Sequence, residues 1–355
     1  MLGRERHQDS HRVGTLPRPV TLKVRPASRL RVDELLRPLR IGNVQLPNNL
    51  VLSPMAGFSD LPFRVLCREH GAGLVCSEMV SATSVLREVP HTMARMRTLE
   101  KEMPMSIQLF GTDPEAVRDA AADLDARCAI VGFNMGCPAH QIQRQGCGAA
   151  MLDTPELALR MVEAVREGTS KPLLVKVRLG NRERRDTVAF ARALESAGAA
   201  GLIVHGRIAA QGYSGRSDWD EIARVKAAVS IPVIGNGDVT DGPSAQRALR
   251  TGVDGLAVGR ASLGNPRVFR EVAHYLATGE RLAPASAEER YHDFLRYLEM
   301  AQAVGIEATQ VREQAQQFTR GLRGGADLRR AFTGSVALDE VRRRFAQFAG
   351  GPPAG

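Results

Sequence analysis

From about residue 49 the chain follows one rhythm. Short apolar runs rich in Val, Ile and Leu alternate with longer stretches whose apolar positions recur at helical spacing. The short runs fall at 50–53, 73–76, 105–109, 129–134, 173–177, 201–205, 232–236 and 255–258. Runs of this length bounded by Gly, Pro or Asp read as buried strands, and the stretches between them as amphipathic helices. Parallel neighbours need a crossover, and eight strand–helix units predict an α/β fold, a TIM (β/α)8 barrel. Two helix starts are punctuated in the same way, Asp113-Pro114-Glu115 and Thr154-Pro155-Glu156. Each offers an N-cap, a proline at the first helical position and an early acid.

The rhythm stops near residue 278. Residues 285–349 keep a helical period without strand signals, so the barrel is expected to be followed by a small C-terminal α-helical domain. The expected layout is a basic, flexible extension over 1–38, a catalytic barrel over 39–278 and a helical domain over 279–350. The extension carries eight basic residues against Glu5 and Asp9 before residue 32, with Pro17, Pro19 and Pro26 interrupting any pattern. The helical domain is Arg-rich, with Arg290, Arg296, Arg312, Arg320, Arg323, Arg329, Arg330, Arg342, Arg343 and Arg344.

Charge sharpens this picture. The 355 residues carry a formal net charge of +9, most of it in the extension. Such a surplus favours a polyanionic partner, because Lys and Arg displace counterions from phosphates. The five cysteines, Cys67, Cys76, Cys128, Cys137 and Cys147, lack the spacing of a disulfide framework or a zinc site. No metal is expected. No signal peptide is evident and no apolar run is long enough to span a bilayer. A cytoplasmic monomer without a membrane partner is expected.

A barrel of this kind places its active site at the C-terminal ends of its strands. The polar residues there are therefore the candidates. They are Pro54, Met55 and Ala56 after the first strand, Gln108 on the third, and Asn134 and Cys137 on the fourth. Lys176 and Arg178 lie on the fifth and His205 on the sixth. Asn236, Gly237 and Asp238 follow the seventh, and Gly259 and Arg260 the eighth. Glycine-bearing turns after the last two strands present backbone N–H groups, and Arg260 adds a charged donor, as a phosphate site requires. Lys176 and His205 can then reach a ring lying over the barrel axis, where a cation tunes a flavin. A lysine inside an apolar strand is costly without a partner, which points to function. Cys137, in a Gly-Cys-Pro turn above the barrel mouth, has the position of an acid, a nucleophile or a ligand. Cys67, Cys76 and Cys128 read as small buried residues, and Cys147 as structural.

These residues carry a family likeness. Pro54-Met55-Ala56-Gly57 with Ser59-Asp60-Leu61-Pro62-Phe63-Arg64 resembles the opening signature of the tRNA dihydrouridine synthases. Asn134-Met135-Gly136-Cys137-Pro138 with Gly146-Cys147-Gly148-Ala149 resembles their active-site loop. Lys176-Val177-Arg178, His205-Gly206-Arg207 with Gln211 and Tyr213, Gly235-Asn236-Gly237-Asp238 and Gly259-Arg260 complete the set, which is most similar to the bacterial B-type branch. The resemblance spans about residues 38–275. It implies an FMN cofactor, NADPH or NADH as reductant, a tRNA substrate and a helical RNA-binding domain. The implied reaction reduces the carbon 5–carbon 6 double bond of a uridine. FMN would contact Pro54, Met55, Ala56, Gln108, Lys176, His205, Asn236, Gly237, Asp238, Gly259 and Arg260. Asn134 and Arg178 would hold the uracil, and Cys137 would protonate carbon 5, as a thiol protonated at neutral pH can. Two positions depart from the family pattern: Arg312-Glu313-Gln314 stands where Arg-Lys-His is common, and Arg267 where an aromatic is common.

Two other readings remain open at this point. One is a flavin barrel acting on a free pyrimidine, in the manner of a dihydroorotate dehydrogenase. The other is an RNA-binding protein without redox activity. Activity on free orotate would support the first, and a colourless, flavin-free protein the second.

Overall fold

A computed structural model describes residues 34–333 and 337–350. The extension expected over 1–38 lies outside the described residues except for its last five. Within those five, Leu35 is buried, and its carbonyl accepts a hydrogen bond from Asn49 Nδ2 at 3.0 Å.

A short antiparallel hairpin comes first, β1 (Leu39–Ile41) and β2 (Val44–Leu46). Eight parallel strands follow: β3 (Leu50–Leu52), β4 (Leu74–Ser81), β5 (Met105–Phe110), β6 (Ile130–Met135), β7 (Leu173–Arg178), β8 (Gly201–His205), β9 (Val233–Asn236) and β10 (Gly255–Val258). They pair in chain order, and β10 pairs with β3 to close the barrel. The eight predicted runs are thus the eight barrel strands, with ends shifted by a residue or two except at β4, which continues well beyond Cys76.

The alternation of side chains along the strands sorts the core into two parts. Inward-facing Val51, Cys76, Ile130, Leu174, Ile203, Ile234 and Ala257 form one apolar layer inside the barrel. Leu39, Ile41 and Leu46 of the hairpin join that layer and close the barrel's lower end. Outward-facing residues such as Leu173, Val175 and Val177 pack under the surrounding helices in a second, larger cluster. Because the period is two, the inward series of β7 runs Leu174, Lys176, Arg178. The apolar layer therefore gives way to charge toward the C-terminal mouth.

Side-chain caps explain six of the fourteen helix starts among the described residues. Asp113 caps Pro114–Asp123 by accepting from Glu115 N, and Asp60 caps Leu61–Glu69 by accepting from Phe63 N. Thr154 differs from expectation. It precedes the helix Pro155–Gly168 but makes no side-chain cap; its hydroxyl donates back to Met151 O at 3.4 Å. The 3-10 turn Gly148–Asp153 ends there, and its carbonyl takes the hydroxyl first.

Beyond the barrel, Ala287–Val304, Ala308–Phe318, Gly325–Ala331 and Leu338–Phe348 form the helical region. Phe294, Phe318, Phe332 and Phe345 pack together at its centre. Arg267, one of the two departures from the family pattern, binds this region to the barrel. Its Nε meets Asp293 at 2.7 Å and its Nη1 meets Glu289 at 2.7 Å.

Candidate active site

The C-terminal mouth of the barrel opens into a cavity of about 730 Å³. Every candidate residue named from the sequence lines it: Pro54, Met55, Ala56, Gln108, Asn134, Cys137, Lys176, Arg178, His205, Asn236, Gly237, Asp238, Gly259 and Arg260. The register places them at one depth, with Asn134 beside Lys176, Arg178 beside His205 and His205 beside Asn236.

Cys137 is the half-buried thiol of the cavity; the other four cysteines are buried. Burial pushes the Cys76 thiol up to about 12 and those of Cys128 and Cys147 to about 11. The loop carrying Cys137 is held from below. Asn134 Oδ1 accepts from Gly136 N at 3.1 Å and from Cys137 N at 2.9 Å, while Asn134 Nδ2 donates to Gln108 Oε1 at 2.8 Å.

Lys176 is buried at the cavity floor, and among the described residues its Nζ has a single long contact, to Asn236 Oδ1 at 3.4 Å. Burial, reinforced by the Arg178 charge, pushes its ammonium down to about 8. The Arg178 guanidinium is tethered through Nε to Gly136 O at 2.9 Å and through Nη1 to Ile208 O at 3.2 Å. Burial and the charges of Lys176, Arg178, Arg207 and Arg260 hold His205 neutral, its imidazolium pushed down to about 2. Arg207 Nη1 lies 3.4 Å from His205 Nε2. An arginine only donates, so Nε2 is the acceptor and the ring proton sits on Nδ1.

The last two turns bring glycines and paired charges to the cavity wall. Asp238 lines the cavity but is neutralised there: Arg207 Nη2 reaches both of its oxygens at 2.8 Å, and Ser217 N donates to it at 2.8 Å. Gly237 adopts φ +120°, and a Cβ there would stand 1.9 Å from Ser217 Oγ, so only glycine fits. At Gly259 a Cβ would meet no protein atom nearer than 3.8 Å and would stand in the cavity itself. Arg260 lies over the Tyr213 ring at 4.1 Å from its centroid.

Sequence reasoning missed several lining residues. Phe58 and Leu263 are apolar and carry no chemical signal. Met79 reaches the cavity because β4 shifts register between Cys76 and Met79, an irregularity that re-aims the strand. Tyr213 stood in the motif without a role, yet it is 61% exposed at the rim.

A cationic cavity thus lies over a parallel barrel, with a thiol at its mouth and two glycine turns on its wall. The family model for dihydrouridine synthases matches residues 51–349. The chain belongs to the dihydrouridine synthase family. It is 41% identical over 265 residues to the tRNA-dihydrouridine synthase B of Pseudomonas aeruginosa, covering 73% of this chain and 79% of that one. It is 40% identical over 254 residues to the protein of the same name from Escherichia coli, covering 71% and 79%. Among solved structures, a 2-naphthoyl-CoA reductase complex matches with a TM-score of 0.53 at 12% identity, over 69% of this chain and 52% of that one. Morphinone reductase matches at 0.50 and 15%, over 70% and 90%. At such identities these two likenesses show the barrel fold alone.

Proposed function

We propose that this chain is a tRNA-dihydrouridine synthase that works in the cytoplasm, with FMN as cofactor and NADPH or NADH as reductant. It would reduce the carbon 5–carbon 6 bond of a tRNA uridine. The observation that carries this reading, beside family membership, is the meeting of Cys137, Lys176, Arg178 and the Gly237 and Gly259 turns in one cavity.

The residues fit FMN. A buried ammonium with no carboxylate partner, a neutralised Asp238, and a glycine whose Cβ would occupy the cavity form a cradle for an anionic, planar ligand. The Gly237 and Gly259 turns and Arg260 would take the phosphate. Pro54, Met55, Ala56, Gln108, Asn236 and Asp238 would border the rest, with Lys176 at the pyrimidine edge and His205 as a neutral donor through Nδ1. Bound FMN supplies reversible hydride chemistry.

The chain's own residues then handle the base and the proton. A stacked uridine cannot enter the mouth, so the base is drawn out of its stack first. Arg178 and Asn134 would orient the uracil, and Arg178 with Lys176 would stabilise charge on its carbonyls. Cys137 Sγ gives its proton to carbon 5. The thiolate left behind faces Lys176 and Arg178, whose positive charges stabilise it until solvent returns the proton. The helical region over 279–350 and the basic extension would bind RNA, with an affinity that falls as salt rises.

The test is purified protein incubated with NADPH and unmodified tRNA, read by nucleoside mass spectrometry. A gain of two hydrogens at one uridine, lost in Cys137→Ala while NADPH still bleaches the flavin, is the expected result. Equal loss of both steps would remove Cys137 from the role of acid. A colourless protein without activity would overturn the whole reading.

A further inference from the structure

The opening signature contains more than its cavity-lining half. Pro54, Met55, Ala56 and Phe58 line the cavity, but Ser59, Asp60 and Arg64 do not. These three are buried beneath it and tie the lining segment to the helical region. Met55 and Ser59 close a tight turn: Ser59 N donates to Met55 O at 2.9 Å, and Met55 N donates to Ser59 Oγ at 3.0 Å. Arg64 Nη1 holds Ser59 O from below at 2.9 Å. The next residue, Asp60, accepts from three side chains of the helical region. They are Tyr297 OH at 2.8 Å, Gln310 Nε2 at 3.1 Å and Gln314 Nε2 at 3.5 Å. Gln314 Nε2 also donates to Phe58 O at 2.8 Å.

Two further observations set this joint apart from ordinary packing. Gln314 Oε1 is buried without a partner among the described residues. Leaving half an amide unsatisfied is unfavourable, so the position is held for what Nε2 does. The same helix, Ala308–Phe318, also backs the neighbouring loop after β10. Gly264, with φ +64°, lies so close that a Cβ would stand 2.1 Å from the Gln317 carbonyl. Arg290 Nη1 donates to Gly264 O, and the adjacent Leu263 lines the cavity. Since β10 and β3 are paired neighbours, the helical region grips both loops at one seam of the mouth.

We propose that the helical region is a working part of the cofactor site as well as an RNA-docking module. Tyr297 and Gln314, acting through Asp60 and Phe58, are positioning residues for the Pro54-Met55-Ala56 wall. The inference rests on the reading that FMN occupies this cavity. It implies that cofactor binding depends on helical-region contacts before any RNA is present.

The experiment compares wild type, Tyr297→Phe and Gln314→Met as full chains, stripped of flavin and without tRNA. FMN is titrated by flavin fluorescence, and hydrogen exchange is followed over residues 53–60 in the flavin-free protein. Each lost hydrogen bond is worth roughly threefold to tenfold in an equilibrium. FMN binding should weaken about tenfold in Gln314→Met and about threefold in Tyr297→Phe, with faster exchange over 53–60. Should Gln314→Met fail to fold, Tyr297→Phe, which removes one oxygen, carries the same test. Variants that lose stability to urea but keep wild-type FMN affinity and exchange overturn the inference and leave the function standing. A wild type that binds no FMN overturns both.

Discussion

Asn134 Oδ1 accepts the backbone N–H of Cys137 at 2.9 Å, so the last residue but one of β6 fixes the loop bearing the thiol. The same oxygen takes Gly136 N at 3.1 Å. An acid must reach carbon 5 to within a fraction of an ångström, and a misplacement near 1 Å costs about a hundredfold in rate. Asn134→Ala should therefore slow uridine reduction roughly a hundredfold, with flavin reduction by NADPH changed little. Asn134→Asp keeps the acceptor for both N–H groups, but loses the donor to Gln108 and adds a negative charge there. Single-turnover rates should rank wild type above Asp and Asp above Ala. An Asp variant as slow as Ala would shift the weight to Nδ2, and so to direct uracil contact.

Lys176 makes a second, independent prediction. Burial pushes its ammonium from 10.5 to about 8. A base whose folded pKa is depressed destabilises the fold below that pKa, and the deficit is relieved as pH rises from 8 to 10.5. The shift corresponds to about 3 kcal/mol when fully expressed. Lys176→Met should thus stabilise the flavin-free protein at pH 7 by up to about 3 kcal/mol, with the gain vanishing above pH 10.5. FMN binding should weaken in the same variant. Urea unfolding across this pH range tests it, and a Met variant less stable than wild type at pH 7 would make Lys176 a structural residue.

What the chain made legible follows from physical range. The inward series Leu174, Lys176, Arg178 can be read from period two alone, because a strand's alternation is local. The Asp113 cap is local too. The hairpin Leu39–Ile41 and Val44–Leu46 was not legible, since three-residue strands are too short for a period to register. Met79 depends on a register shift that no composition announces. The helical-region partners of Asp60 lie more than two hundred residues away, so its motif was visible but its tie to that region was not. Arg207 was part of a motif, while its pairing with Asp238 needed the fold.

That pairing makes the third prediction. Arg207 is 2% exposed, and its donors reach Asp238, Ser217 Oγ at 2.9 Å, Gly215 O at 2.7 Å and Ser214 O at 3.1 Å. Removing the carboxylate leaves a buried guanidinium uncompensated, at a cost of about 3 kcal/mol, near the lower end for such pairs because water reaches Asp238. Asp238→Ala should lose this much stability and also free a positive charge beside His205. Asp238→Ala with Arg207→Met should recover much of the stability, because the orphaned charge is gone. Chemical denaturation of the wild type and the two variants provides the comparison. A double variant as unstable as the single would show that packing, not charge, dominates here.

Asp60 gives the opposite sign of pH dependence from the carboxylates that ionic and hydrogen-bond partners hold low among the described residues. Asp153, Asp218, Asp241 and Asp293 are held below the usual carboxylate range by their hydrogen-bond and ionic partners. They contribute stability above their unfolded pKa that is lost on acidification. Asp60 is pushed up from 3.8 to about 6, chiefly by burial, against the hydrogen bonds from Phe63 N and Tyr297 and the charge of Arg64. Its protonated form is the better-accommodated one, so its contribution is full below pH 3.8 and lost as pH rises through 6. The window is worth about 3 kcal/mol. Asp60→Asn mimics the neutral acid in shape and removes the titration. The stability of Asp60→Asn relative to wild type should therefore rise by about 3 kcal/mol between pH 3 and pH 7. A difference independent of pH would show that the four donors around Asp60 hold it ionised throughout, and that burial does not govern its charge.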